Sequence, residues 1–454
     1  MLLSTPKLCK MRNWMVIGIK RKFHFSKNVK ISDKSSSKNL EKSSTNINGS
    51  IDILDSNSPI SSLLTNIKKP LSKNKQKELL KQSQHNEAVL HSFSEFYSQQ
   101  YGEERWKSLF QALSKPIKHV AMINNFANLK NVDMILDPTI QNTFSNLENE
   151  KNIEGENYLE KVKFLDLPCY SSSKRFSSPF RDENGIMVHY LLDATSIMAV
   201  KALKVKPTDN ILDLCAAPGG KSLVILQYLL LNSKMMQKDE RNFGDGDIFS
   251  SGFLTSNDIS SDRRRRLKQL ITDYIPSVFL HKIKITSEFK SFSISTFDKI
   301  LVDPPCSSER YLLQNPIDFS KWKVSKSKIN SKRQYMLLLD AVKGLHVGGI
   351  LVYVTCSINK FENEEVVKNI LKNSWVPLEE IGEDYEWEIG ERTDKGWIIL
   401  PDKCDGWGPL YFAILKRVGY GNFRKKGSKN IDRKSRFEEK GLYIDDEYNE
   451  DELD

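Results

Sequence analysis

The chain has 454 residues, 28% of them charged, and a formal net charge of +10. Its length admits two domains, and no apolar run approaches the roughly 20 residues of a membrane-spanning helix. The six cysteines (Cys9, Cys169, Cys215, Cys306, Cys356, Cys404) are scattered with no CxxC pair, which suggests neither a zinc site nor a disulfide framework and fits a reducing compartment.

The positive charge is unevenly placed. Residues 1–90 hold 17 Lys/Arg against 6 Asp/Glu, so the rest of the chain is near neutral. A basic isoelectric point therefore does not argue for nucleic acid by itself. Residues 1–32 carry eight Lys/Arg and no acid, with apolar patches from Trp14 to Ile19 and at Phe23 and Phe25. That is the composition of a mitochondrial transit peptide; a basic tail or a nuclear-directing patch at Lys20–Lys22 are the alternatives. Residues 33–86, rich in Ser, Asn and Lys, read as a disordered linker.

Residues 87–165 read as a helical N-terminal extension. Leu90, Phe93, Phe96, Tyr97 and Tyr101 follow helical spacing, and Trp106, Leu109, Phe110 and Leu113 continue it until Pro116. A lid on the core is preferred here to an independent binding domain. Residues 144–163 are polar and acidic, as in a loop.

Residues 166–416 form the expected catalytic domain. A strand at Ile211–Leu214 runs into Cys215-Ala216-Ala217-Pro218-Gly219-Gly220-Lys221-Ser222 and then an apolar helix. Strand, glycine turn and helix open a Rossmann-like unit, in which glycines admit a ligand close to the backbone and the helix N-terminus offers N–H groups to a carboxylate. The spacing excludes a Walker A loop and a dinucleotide fingerprint. Asp258 ends the second strand, 38 residues after Gly220, the excess being a surface insertion at 232–252. Arg263–Arg266 open the next helix. A third strand, Ile283–Thr286, precedes the central stretch KILVDPPCSSER, in which a buried strand meets Asp303, Pro304, Pro305 and Cys306. A helix is expected from Gln334 to Leu345, then a turn at Val347–Gly349 and a second apolar strand delivering Cys356. An acidic helix at 362–371 and a strand at 409–415 complete an α/β doubly wound sheet. Residues 417–454, basic and then acidic, read as a disordered tail that either solubilises the chain or contacts RNA phosphates.

DLCAAPGGKS, LVDPPCSSER and GGILVYVTCS with the following FENEEVV together resemble the NOL/NOP/Sun family of RNA cytosine-5 methyltransferases, over about residues 165–416. Within it, ALSKPIKHVAMINNFAN, SSER and GPLYFAILKR resemble the branch acting on mitochondrial small-subunit ribosomal RNA. The resemblance implies a Rossmann-like S-adenosylmethionine-dependent methyltransferase fold with S-adenosyl-L-methionine as cofactor, and no metal or membrane. It implies Cys356 as nucleophile toward cytosine C6, Cys306 in product release and Asp303 in base activation. Gly219, Gly220, Lys221, Asp258, Arg263 and Asp303 would contact the cofactor. It also implies an RNA substrate in the mitochondrial matrix, a role in ribosome assembly, and a helical-repeat partner of the mitochondrial transcription-termination-factor type. Two departures stand out. Glu288-Phe289 occupies the place of the family's third-strand Asp-Gly, and a second proline precedes Cys306. The alternatives are a catalytically weak assembly factor and a mitochondrial tRNA methyltransferase.

Overall fold

A computed structural model describes residues 73–128, 159–230, 252–287, 295–382 and 385–421. The stretches expected to be a transit peptide and a tail (nearly all of the latter), most of the expected linker, the 232–251 part of the expected insertion and Glu288-Phe289 lie outside these residues. The chain divides into two compact units, and among the described residues the smaller comprises 73–96 with 311–323.

Helix α1 (Lys73–Tyr101), which belongs to the smaller unit up to Phe96, begins inside the stretch expected to be linker. Its Phe93 ring meets Phe319 at 5.2 Å and Trp322 at 5.0 Å, both edge-on. Such rings supply most of the burial available to so short a segment.

The larger unit starts at Tyr97. Helix α2 (Glu103–Ser114) buries Trp106, Leu109 and Leu113 at i, i+3 and i+7. The extension is not wholly helical, however. Strands β1 (Val120–Ile123), β2 (Leu159–Lys161), β3 (Cys169–Ser172) and β4 (His189–Leu192) build a small antiparallel sheet in the order β2-β3-β1-β4. The expected 144–163 loop thus ends in a strand, whose polar residues are tolerated because β2 is half exposed and lies at the sheet edge.

Next come helix α3 (Ala194–Lys201), strand β5 (Asn210–Asp213), helix α4 (Gly220–Leu229), strand β6 (Phe253–Asn257), helix α5 (Ser261–Tyr274) and strand β7 (Ile283–Thr286). Strand β8 (Phe297–Val302) is followed by short helices α6 (Glu309–Gln314) and α7 (Pro316–Phe319), long helix α8 (Val324–Gly344), strand β9 (Leu345–Thr355) and helix α9 (Glu364–Asn373). Strands β10 (Leu378–Glu380), β11 (Glu391–Arg392), β12 (Trp397–Ile399) and β13 (Leu410–Arg417) end the described chain.

The main sheet runs β11-β12-β13-β9-β8-β5-β6-β7, with β10 also on β13. Strands β5 to β9 are parallel, and β13 is antiparallel to β9. Ile300, Leu301 and Val302 are fully buried, as an apolar run covered on both faces requires. The topology reverses between β5 and β8, which opens a crevice at their carboxyl ends, where doubly wound sheets bind ligands.

Two expected boundaries move. Helix α8 starts ten residues before Gln334, because its Lys- and Ser-rich first turns bury Ser327 and Asn330 as polar contacts rather than an apolar stripe. The turn at Val347–Gly349 lies within β9; Gly348 adopts a left-handed φ of +85° there without ending the strand.

Candidate active site

Asp213, Asp258, Asp303 and Cys356 all lie at the carboxyl ends of parallel strands, at or just past β5, β6, β8 and β9. Cys306 follows the Pro304-Pro305 turn and meets Cys356, with the two Sγ atoms 3.0 Å apart. Ser308 Oγ touches both sulfurs, at 3.3 Å from Cys306 and 3.0 Å from Cys356. Its backbone sits at φ +50°, a conformation a serine adopts at some cost and one that recurs at functional sites.

The two thiols are electrostatically unlike. Donation from the Cys306 S–H lowers the Cys356 thiol below its ordinary range despite burial, and the Ser308 hydroxyl and the Lys221 ammonium act in the same direction. Cys306 is pushed up, first by that hydrogen bond and then by burial. One sulfur is therefore favoured as thiolate while its neighbour holds a proton, as a nucleophile beside a proton carrier requires. Cys215, in the glycine turn, has its thiol pushed up by burial and nearby carboxylates, and is no comparable nucleophile.

Lys221 Nζ bonds Asp303 Oδ2 at 2.6 Å. Burial opposes the Lys221 charge, but Asp303 outweighs it and holds the ammonium protonated. Asp213 is fully buried and its carboxyl is raised to about 7, chiefly by desolvation, while Ser222 Oγ donates to it at 2.6 Å.

The glycine turn is clamped from β6. Asp258 accepts from Ala217 N at 3.2 Å and from Ser260 N at 3.0 Å. Arg263 reaches Asp258 at 3.4 Å and also donates to the Ala217 carbonyl. At Gly219, φ is +119° and an added Cβ would lie 2.8 Å from Leu267 and Leu270. What approaches this glycine is helix α5, so part of its role is packing rather than ligand access. Gly220 lies closest to the Tyr190 ring.

Cofactor recognition has suitable groups. Among the described residues no side chain caps the N-terminus of α4, whose N-cap is Gly219, so its first-turn N–H groups suit a carboxylate. Asn257 Oδ1, buried at the end of β6, has no hydrogen-bond partner among the described residues. These features, with the Lys221 and Asp258 charges, fit the methionine and ribose portions of S-adenosylmethionine.

Two buried carboxylates unassigned in the sequence reading bind the cysteine loops to each other. Glu309, just past Cys306, accepts from Ser357 Oγ and from Ile358 N, each at 3.0 Å, beyond Cys356. Tyr97 donates to the same carboxylate at 2.6 Å, and Tyr101 donates to the Ile358 carbonyl. In the other direction, Glu362 accepts from Ser307 N at 3.0 Å and from the Ser307 hydroxyl. Gln334 and Asn330 of α8 add bonds to Glu362 at 2.9 and 3.3 Å. Each loop thus carries the acid that holds the other. Their only trace in the sequence is an acid inside SSER and another inside FENEEVV.

This crevice, with a glycine turn under an uncapped helix and acids at successive strand ends, defines an S-adenosylmethionine-dependent methyltransferase. Residues 248–416 match the family model described as 16S rRNA methyltransferase RsmB/F. The chain is 28% identical to the mitochondrial tRNA (cytosine(34)-C(5))-methyltransferase of Danio rerio, covering 74% of this chain and 89% of that protein. It is also 28% identical to the 5-cytosine rRNA methyltransferase NSUN4 of Mus musculus, covering 73% and 88%. The structure of NSun6 from Pyrococcus horikoshii with SFG shares the fold at a TM-score of 0.51 and 17% identity, covering 72% of this chain and 98% of that one.

Proposed function

We propose that the protein is an S-adenosylmethionine-dependent RNA cytosine-5 methyltransferase working through a covalent thioether to the base. The observation that carries this reading is the Cys306–Cys356 pair, whose sulfurs lie 3.0 Å apart, with Cys356 shifted down by the hydrogen bond between them and Cys306 shifted up. Cytosine C5 is a poor nucleophile. When the Cys356 sulfur bonds to C6, the C5–C6 π electrons move onto C5 and make it nucleophilic. Asp303 accepts hydrogen bonds from protonated N3 and the exocyclic amine, so attack at C6 gives a neutral enamine rather than an anion. Bound S-adenosylmethionine supplies an electrophilic methyl group. Once the Cys356 sulfur is a neutral thioether, its charge no longer holds the proton on Cys306. Cys306 releases that proton to solvent and, after C5 is methylated, takes the C5 proton, the C5–H electron pair re-forming the double bond and expelling the Cys356 sulfur as thiolate. Gly219, Gly220, Lys221 and the α4 N-terminus hold the methionine end of the cofactor, and Asp258 its ribose. Arg263 keeps the turn against Asp258.

The substrate we assign is mitochondrial small-subunit ribosomal RNA, methylated in the matrix in support of ribosome assembly. The likeness to NSUN4 and the acid-free basic start support this assignment. The equal identity to a mitochondrial tRNA methyltransferase favours a second reading, tRNA as substrate. A helical-repeat partner of the mitochondrial transcription-termination-factor type is part of the proposal. Bisulfite sequencing of mitochondrial rRNA and tRNA after depletion tests it. Loss of one cytosine mark in small-subunit rRNA is expected; loss confined to tRNA selects the second reading, and no loss in either rejects both.

Asp258→Ala is expected to weaken S-adenosylmethionine binding by about 10- to 150-fold, corresponding to roughly 1.5–3 kcal/mol for hydrogen bonds to a charged acceptor. Calorimetry showing unchanged affinity would leave Asp258 only its role in clamping Ala217 and Ser260.

A further inference from the structure

Helix α8 has two polar faces with different tasks. Ser327, Asn330 and Gln334, at i, i+3 and i+7, are buried against the cysteine loops. Ser327 Oγ meets Ser307 Oγ at 3.1 Å, and Gln334 donates to the Pro305 carbonyl at 3.0 Å. The N-terminal half of α8 therefore lies directly beside the candidate active site. Lys326, Lys328, Lys332 and Arg333 are exposed on its outer side. By helical spacing, Lys328 and Lys332 share one flank, and Lys326 and Arg333 share the other.

This charge arrangement runs against helix energetics. The first turn of a helix favours acids and its last turn cations, and Lys326 sits in the first turn of α8. Here the first turn has no acid, and none occurs in the sequence between Asp318 and Asp340. Like charges at Lys328 and Lys332 also repel at i, i+4. Among the described residues, neither Lys326 nor Lys332 has an ion-pair partner. Lys328 Nζ lies 5.3 Å over the ring of Phe361, five residues past Cys356. A local rule broken beside a reactive centre is where function is expected. Because residues 91–454 are near neutral in total, only their segregation on α8 makes this surface visible.

We propose that the outer side of the N-terminal half of α8 is the docking surface for the sugar-phosphate backbone of RNA, gripping nucleotides that flank the target base. The proposal rests on the methyltransferase reading above and locates its substrate. The cations release counterions from the phosphates, and the inner face of the same helix keeps the bound strand in register with Cys356.

The test uses the full chain, with all four cations replaced by Gln, and a single-stranded transcript of mitochondrial small-subunit rRNA. A variant with Arg265, Arg266 and Lys268 of α5 replaced by Gln is the control, since those residues are also exposed cations. Each phosphate contact on a single strand contributes about 0.7 to the slope of log affinity against log salt, so the α8 variant should lose about 3 of slope. Its RNA affinity at low salt should fall at least about tenfold, with S-adenosylmethionine affinity and melting temperature unchanged. The pair Lys328→Gln with Lys332→Gln should lose about half as much slope. In turnover assays the deficit should appear in KM for RNA, with kcat largely retained. An unchanged slope in the α8 variant, or an equal loss in the α5 control, would overturn the proposal. Wild-type protein whose salt-dependent RNA binding depends on α8, yet transfers no methyl group, would sink the methyltransferase reading and leave the docking surface standing.

Discussion

Cys356→Ala should abolish methyl transfer and every covalent RNA adduct, whereas Cys306→Ala should accumulate enzyme joined to RNA. Removing a covalent nucleophile costs on the order of 10⁴–10⁶ in rate. The Cys306 variant retains the attacking sulfur, so the thioether and the methylated C5 should both form, and the reaction should stall before elimination. The pair geometry adds a pH signature. The Cys306 S–H is the largest influence lowering the Cys356 thiol, with Ser308 and Lys221 contributing less. Deleting that donor should move adduct formation to higher pH without preventing it. Both substitutions remove one sulfur from the same 3.0 Å contact, so general damage would not produce opposite outcomes. A denaturing gel of each variant with mitochondrial RNA and S-adenosylmethionine, across pH, is the measurement. Adducts from Cys356→Ala alone would exchange the roles, and adducts from neither would refute the covalent route.

The parallel core was legible because its signals are local. Ile283–Thr286 has the same bounds in sequence and structure, and the apolar runs before Asp303 and Cys356 mark buried strands in a sheet covered on both faces. That the two cysteines meet follows from β8 and β9 being neighbours, a pairing no spacing announces. The carboxylates were illegible for a different reason. Buried Glu is rare, so Glu309 and Glu362 read as solvated surface until their partners are known. Ser327 and Asn330 were missed likewise, because a polar buried face carries no hydrophobic period. Gly219 was read for ligand access, yet its nearest neighbours are Leu267 and Leu270 of α5, about fifty residues further along the chain.

Glu362→Ala should impair both the fold and the chemistry while sparing the cofactor. The substitution strands the Ser307 N–H and hydroxyl and the Gln334 and Asn330 amides, all turned toward one carboxylate. Each buried donor that water fails to reach costs on the order of 1–3 kcal/mol, so the melting temperature should fall markedly. Ser307 adjoins Cys306, and a displacement near 1 Å at reacting groups can cost about 100-fold in rate. Adduct formation should slow on that scale, whereas S-adenosylmethionine affinity, set across the sheet by β5 and β6, should hold. Glu362→Gln keeps one acceptor oxygen and should recover part of both losses. It also carries a pH test. Glu309 is raised from 4.5 to about 7, first by desolvation and then by the Glu362 charge. Between those values the folded state holds a proton that the unfolded state has released, so this group's contribution to stability falls as pH rises through the window. With Gln at 362 the second cause is gone, and the fall should end at lower pH. Melting temperatures of wild type and Glu362→Gln from pH 4.5 to 8, read beside single-turnover adduct rates, decide the matter. Unchanged adduct rates in Glu362→Ala would reduce the two acids to ordinary core groups with no hold on the cysteines.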